Sequence, residues 1–280
     1  MPTRTLVLTA LAMLAFAGNS LLCRAALRDS GIDPASFTAL RLLAGGLVLW
    51  GLLQLRKKTV AVSGSWYGAL ALFVYASAFS FAYLDLDAGA GALLLFGAVQ
   101  LSMTAWGVFK GERLHPFQIA GMALAGAGLL VLLLPGINTP SMPASLLMLL
   151  AGTAWGVYSL LGRGVADPLA ATAGNFIRAC PFAAVLCVLS LDRLGWDPAG
   201  IIYALSSGGV ASGIGYAIWY AALPGLAATQ AASVQLSVPL LTALAGSLLL
   251  GETLTVTLMA AGVAILGGIA LVLRFKRQIA

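Results

Sequence analysis

The sequence predicts an all-α integral membrane protein whose ten transmembrane helices form two inverted five-helix repeats. The first observation is composition. Of 280 residues, 61% are hydrophobic and only 9% charged, with a mean hydropathy of +1.00. Soluble domains run about 45–50% apolar and about 25% charged, so a water-soluble fold of this length could not hide so much apolar side chain. The second is repetition, which is sought before any single motif is argued. Ser20-Leu21-Leu22-Cys23-Arg24 returns as Ser159-Leu160-Leu161-Gly162-Arg163, 139 residues on. Gly111-Glu112-Arg113-Leu114 returns as Gly251-Glu252-Thr253-Leu254 at 140, Ala120-Gly121 as Ala261-Gly262 at 141, and Arg41 as Arg178 at 137. Four matches in one order describe a tandem duplication. The third is parity: five spans per copy is an odd number, so the second copy enters the bilayer upside down.

A helix needs about 20 apolar residues to cross about 30 Å of hydrocarbon. Apolar runs set against charged and Pro/Gly breaks give spans near 5–27, 34–55, 65–84, 88–108 and 116–134 in the first copy. The second copy supplies 143–163, 168–190, 199–222, 226–248 and 254–273. Pro34, Pro116, Pro143, Pro168 and Pro198 fall near helix starts, where the missing N–H costs nothing. The longest linker follows Leu134 and divides the chain into repeats 1–137 and 138–280.

Ten spans put both termini on one side. That side carries ten Lys and Arg, among them Arg4, Lys57, Lys110, Arg113, Arg163 and Lys276, against Arg24, Arg28 and Arg193 opposite. Lys/Arg excess marks the cytoplasm, so a bacterial inner-membrane protein with cytoplasmic termini is expected. The net charge of +6 therefore reads as orientation and gives no reason to expect nucleic acid. Ala15-Phe16-Ala17 resembles a signal-peptide cleavage site, but the apolar run continues past it to Ala26 and no cleavage is expected. Cys23, Cys180 and Cys187 lie inside apolar runs and are odd in number, which reads as small buried side chains without disulfides.

Inverted repeats are an architecture of secondary transporters, with the substrate site near the midplane between the halves. The paired Gly-Glu-x-Leu boxes, the ten spans and the stretch Ser233 to Glu252 with Pro239 inside it resemble the EamA-type transporters of the drug/metabolite transporter superfamily. Within it the chain is similar to the YddG-type exporters of aromatic and other amino acids. The resemblance covers essentially the whole chain. It implies a central cavity lined by the first, third, fourth, sixth, eighth and ninth spans. One departure is Val99, which stands where Pro239 stands in the second copy, so no break is encoded in the fourth span.

Mid-span polar groups must face the protein interior or a wet cavity. That filter selects Asn19, Tyr75, Phe79, Phe96, Gln100, Trp155, Tyr158, Tyr216, Trp219 and Gln235 as candidate substrate contacts. Amides can hold amino or carboxylate groups, and aromatic faces can stack on flat or apolar substrates. Each residue alone could equally tie helices together. Trp50, Trp66, Trp106 and Trp196 near span ends read as interfacial anchors. Arg41 and Arg178 lie at mid-helix, where an arginine costs about 2.5–3.5 kcal/mol. They are either structural, bonding nearby carbonyls, or contacts for an anionic group. All nine Asp and Glu fall at span ends or in loops, and the one histidine, His115, is in a loop.

Those absences point to a facilitator or weakly coupled exporter of small metabolites, amino acids first, and other metabolites or drugs as the alternative. No cofactor and no metal cluster is expected. The expected partners are a small-molecule substrate and the lipid bilayer, for a monomer or weak homodimer associating through its tenth span. An intramembrane protease would need a membrane Ser–His pair or two mid-span aspartates. A receptor would gain nothing from inverted halves.

Overall fold

The computed structural model describes residues 2–56, 62–134, 140–226 and 228–275. Every described element is helical, and the protein is a multi-span membrane protein. The first half contains α1 (Thr3–Asp29), α2 (Pro34–Gln54), α3 (Trp66–Ala82), α4 (Ala88–Phe109) and α5 (Pro116–Leu133). The second begins with α6 (Met142–Leu161) and α7 (Pro168–Leu189). Its eighth span is composite: α8 (Pro198–Leu205), a π-helical segment (Ser206–Ile214) and α9 (Gly215–Ala222). The ninth is also broken, into α10 (Ala228–Val234) and α11 (Ser237–Leu250), before α12 (Val256–Arg274). Nine spans among the described residues are long and apolar enough to cross a bilayer, and Trp66–Ala82 is a shorter tenth. The proposed boundary between repeats, at 137/138, lies outside the described residues, as do Lys57, Lys58, Lys276 and Arg277.

Local chemistry sets the helix ends. Asp33, Asp167 and Asp197 cap α2, α7 and α8 through backbone N–H groups, each followed by proline at the first helical position. The break ahead of α11 has a direct cause. Pro239 lacks an N–H, and its ring crowds the carbonyl four residues back, that of Gln235; the helix is interrupted there, at Gln235 and Leu236. Val99 imposes no such clash, and α4 runs unbroken from Ala88 to Phe109. The π segment is a departure from the regular span expected over 199–222. Gly208 lies there against the Arg41 carbonyl, where a Cβ could not fit, and Gly213 packs on Val48.

The apolar exterior and polar interior follow from a hydrocarbon surround. Leu248, Leu249 and Val263 are among the most exposed side chains, while Asn19, Thr38, Arg41, Ser80 and Ser207 are buried. The expected interfacial tryptophans Trp50, Trp66, Trp106 and Trp196 are all exposed. The small-residue edge of α12 is already occupied: Gly268 packs on the Gly121 carbonyl of α5, and Gly128 on Ala261 and Ala264. All three cysteines are free, but only Cys23 is fully buried; Cys180 and Cys187 are partly buried, Cys180 against the core and Cys187 with its Sγ toward the Ala35 carbonyl of α2.

The two Gly-Glu-x-Leu boxes lie at opposite ends of the bundle. Ala88 at the start of α4 donates its N–H to Glu252, whereas Glu112 follows the other end of α4. This is the inversion that an odd number of spans per repeat requires.

Candidate functional site

One end of the bundle is closed and the other open. The chain termini mark the open end: Thr5 lies against Gly225, and His115 stacks on Phe275 at 5.3 Å between ring centres. The far end is where α1 finishes, and Arg24 closes it. Its Nη1 donates to the carbonyls of Tyr83 (3.0 Å) and Leu84 (2.8 Å). Its Nη2 faces Asp87 Oδ1 at 3.3 Å, and its Nε faces Glu252 Oε1 at 3.4 Å. Glu252 in turn accepts the Ala88 N–H through both carboxylate oxygens, at 3.0 and 2.9 Å. Arg28 adds a bond to the Leu250 carbonyl at 2.9 Å. Four chain segments are thus held together by one guanidinium and one carboxylate. Burial pushes the Glu252 carboxyl above its ordinary value, outweighing the Ala88 bond and the charge of Arg24.

Below this closure a cavity of about 490 Å³ runs toward the termini, within the size range of small-molecule sites. Its mouth is formed by Gly162, Arg163, Pro168 and Leu223. α6 runs parallel to α4, with Gly152 against Leu95 and Gly156 against Ser102, so Arg163 and Lys110 mark the same end. Inward, the cavity narrows to a tip of about 50 Å³ between Asn19, Ser20, Tyr75, Phe79 and Ser212.

Trp155 stands at the centre. Its ring lies 4.7 Å from Tyr75, 5.3 Å from Tyr158 and 5.6 Å from Tyr216. Phe16 meets Tyr216 and Trp219 at 5.7 and 6.1 Å. Trp155 stacks on Tyr158 and Tyr216 while the other contacts are tilted or edge-on, and all of these rings line the cavity. At the tip a polar chain crosses four helices. Ser207 donates to Asn19 Oδ1 (2.7 Å), Asn19 Nδ2 to the Tyr75 hydroxyl (3.4 Å), and Arg41 Nη2 to the same hydroxyl (3.0 Å).

All ten candidate contacts border this continuous space. Asn19, Tyr75 and Phe79 line the tip; Gln100, Tyr158 and Trp219 line the wider part; Phe96, Trp155, Tyr216 and Gln235 belong to both. The two amides are partly engaged within their own helices, Gln100 with Thr104 (3.3 Å) and Gln235 with the Ala231 carbonyl (3.4 Å). The lining extends beyond the six spans that the resemblance implied. α7 contributes Ala171, Thr172 and Asn175, and α12 contributes Ile269. Thr172 links the Tyr158 and Tyr220 hydroxyls, at 3.3 and 2.8 Å. Sequence reasoning missed it because a threonine in an apolar run carries no distinctive signal.

Arg41 and Arg178 occupy matching repeat positions and do different things. Arg178 Nη1 donates to the Ser63 carbonyl at 2.6 Å, holding the segment before α3 against α7. Arg41 is 2% exposed, behind the tip, with its Cζ 5.2 Å from the Tyr75 ring centre and 4.8 Å from that of Phe79. Among the described residues no group of three His, Cys, Asp or Glu side chains is placed to hold a metal ion.

Comparison with known proteins adds four findings. The EamA-like transporter family matches residues 3–134 and again residues 142–274. An uncharacterized protein of Pseudomonas aeruginosa is 61% identical over 271 residues, covering 96% of this chain and 94% of its own. An uncharacterized transporter of Archaeoglobus fulgidus is 26% identical over 260 residues, covering 87% and 88% respectively. A solved crystal structure aligns with a TM-score of 0.70 at 21% identity, over 99% of this chain and all of its own, and so shares the fold.

Proposed function

This chain belongs to the EamA-like transporter family, and from that premise we propose that it is a secondary transporter exporting small metabolites, aromatic and apolar amino acids first, by alternating access. It sits in a bacterial inner membrane with both termini cytoplasmic, and the halves 1–137 and 138–280 are the units that move. The observation that carries the reading is the cavity: walls from both repeats, aromatic faces and amides within, one end sealed and the other open. With the Lys/Arg-rich end cytoplasmic, the cavity faces inward and the Arg24–Glu252 closure faces out.

Inversion supplies the return half of the cycle. Arg163 and Glu112 are the repeat counterparts of Arg24 and Glu252. Both are exposed at the open end, and their approach would close it as the outer pair parts. Among the described residues lining the path there is no carboxylate for a proton to ride on, which favours facilitated export over strict proton coupling.

Counterflow of a labelled amino-acid panel into proteoliposomes tests this. Exchange by wild type with strong loss in Trp155→Ala and Gln100→Ala is the expected result. Binding of the panel without exchange would point to a receptor, and strict dependence on a pH gradient would contradict the coupling.

A further inference from the structure

The charges along the cavity are one-sided. Among the described residues that line it there is no Asp or Glu, and the charged one is Arg163 at the mouth. Behind the tip lies a second cation, Arg41, whose Nε and Nη1 have no hydrogen-bond partner although they are buried. The comparison with Arg24 is direct. Arg24 is equally buried but faces two carboxylates and two carbonyls, while Arg41 has the Tyr75 hydroxyl and two ring faces. A buried charge without a counter-ion is costly and marks a functional position by default.

The Tyr75 hydroxyl is what carries that charge to the cavity. It accepts from Arg41 Nη2 and from Asn19 Nδ2. A phenol oxygen loaded with two donors, one of them cationic, keeps its own O–H for an acceptor. Tyr75 lines the tip, where an oxygen of a bound ligand can meet that O–H. Asn19 turns its Nδ2 to that hydroxyl and its Oδ1 to Ser207.

We infer that the cavity tip is a carboxylate subsite, in which the Tyr75 hydroxyl, backed by the unpaired guanidinium of Arg41, receives the anionic group of an aromatic or apolar carboxylic acid. Arg41 acts through Tyr75 and is a positioning residue; Tyr75 makes the contact. The rings of Trp155, Phe96 and Tyr216 take the apolar body behind the carboxylate. An ammonium group meets no carboxylate among the described lining residues, only neutral amide and hydroxyl oxygens and ring faces. Binding therefore ranks by charge: monoanionic acids above zwitterions, and zwitterions above amines. The inference rests on the cavity being the substrate site.

Three ligands with one ring test it: 3-phenylpropanoate, phenylalanine and phenethylamine, titrated against the purified full-length protein in lipid nanodiscs. Wild type should bind them in that order. Arg41→Gln should weaken 3-phenylpropanoate by at least about tenfold, the loss expected for one charge-assisted contact, and leave phenethylamine unchanged or tighter. Arg41→Lys should recover part of the loss. Tyr75→Phe keeps the ring under the guanidinium and should cost the acid as much as Arg41→Gln, with no further loss in the double variant. A purely structural Arg41 would weaken all three ligands alike, and that result overturns the subsite; so does phenethylamine binding as tightly as the acid. Binding of none of the three would overturn both the subsite and the cavity's role as the substrate site.

Discussion

The two Gly-Glu-x-Leu turns are locally the same object in different company. Gly111 and Gly251 both take positive φ, 92° and 67°, a conformation that glycine adopts without cost. Each glutamate N–H returns to a glycine carbonyl of the preceding helix, Glu112 to Gly107 at 2.9 Å and Glu252 to Gly246 at 3.2 Å. Each carboxylate folds over that same glycine, where a Cβ would meet it at 2.5 and 2.6 Å. Yet Glu252 binds Arg24 and the start of α4, while Glu112 is exposed. The turn is encoded locally, and the partner is set by how the two halves are arranged. One sequence motif thus serves a closed end and an open end, and exchanging the partners would exchange the ends.

The comparison breaks most sharply at Glu252. Glu252→Ala removes the oxygens that take the Ala88 N–H and face Arg24 Nε, leaves Asp87 as the one carboxylate on that guanidinium, and should weaken the far closure by on the order of 3 kcal/mol, as for loss of one member of a buried pair. Impermeant maleimide should then label Ser20→Cys from the far face, in a background with the three native cysteines replaced by serine. Glu112→Ala should not raise that labelling, because it loosens only the closed state of the other end. Equal effects of the two variants would erase the distinction between the ends.

Next in size is the broken ninth span against the unbroken fourth. Pro239→Ala removes the clash with the Gln235 carbonyl, worth about 3 kcal/mol in a helix interior, and should join α10 to α11. Counterflow should slow by roughly a factor of ten if the break is where the second half bends. An unchanged rate would show that bending occurs elsewhere.

The arginine pair sharpens the same contrast at smaller scale. Arg178→Gln removes one bond to the Ser63 carbonyl and should cost about 1 kcal/mol of thermal stability, leaving ligand affinity intact. A loss of affinity would give both arginines the same role.

The smallest effect is that of pH. Burial raises the Glu252 carboxyl in the closed form, and opening to water would return it toward its ordinary value. The closed form therefore binds the proton more readily. By linkage, acidification through the window between the ordinary and the raised value favours closure of the far end, and alkalinisation releases it. Ser20→Cys labelling should fall as the external pH is lowered through that window; a rise would reverse the sign.

Much of the architecture was legible in sequence because apolar length and charge placement are one-dimensional signals. The span starts agree with the helices at Pro34, Pro116 and Pro168, where proline at the first helical position writes the boundary into the chain, and at Ala88, whose N–H is taken by Glu252. The ninth span's break was readable for the same reason, since Pro239 carries its own steric consequence. The π segment was not. Its cause is a close approach of Gly208 to the Arg41 carbonyl on another helix, and only Ser206-Ser207-Gly208-Gly209 hinted at it. The cavity inventory followed from polarity and depth, which is why Asn19, Tyr75 and Trp155 stood out. Thr172 and the divergent fates of Arg41 and Arg178 depend on which helices meet, and repeat spacing alone says nothing of that.

Distances measured at both ends of one molecule in nanodiscs test the central exchange most directly. Spin labels at Asp29→Cys and Thr253→Cys report the far end, and labels at Arg113→Cys and Gly162→Cys report the end with the termini. The exchange account predicts opposite shifts: as the far pair lengthens on adding Glu252→Ala, the near pair shortens. Two distances that move together, or a near pair that stays fixed while the far pair opens, would contradict it.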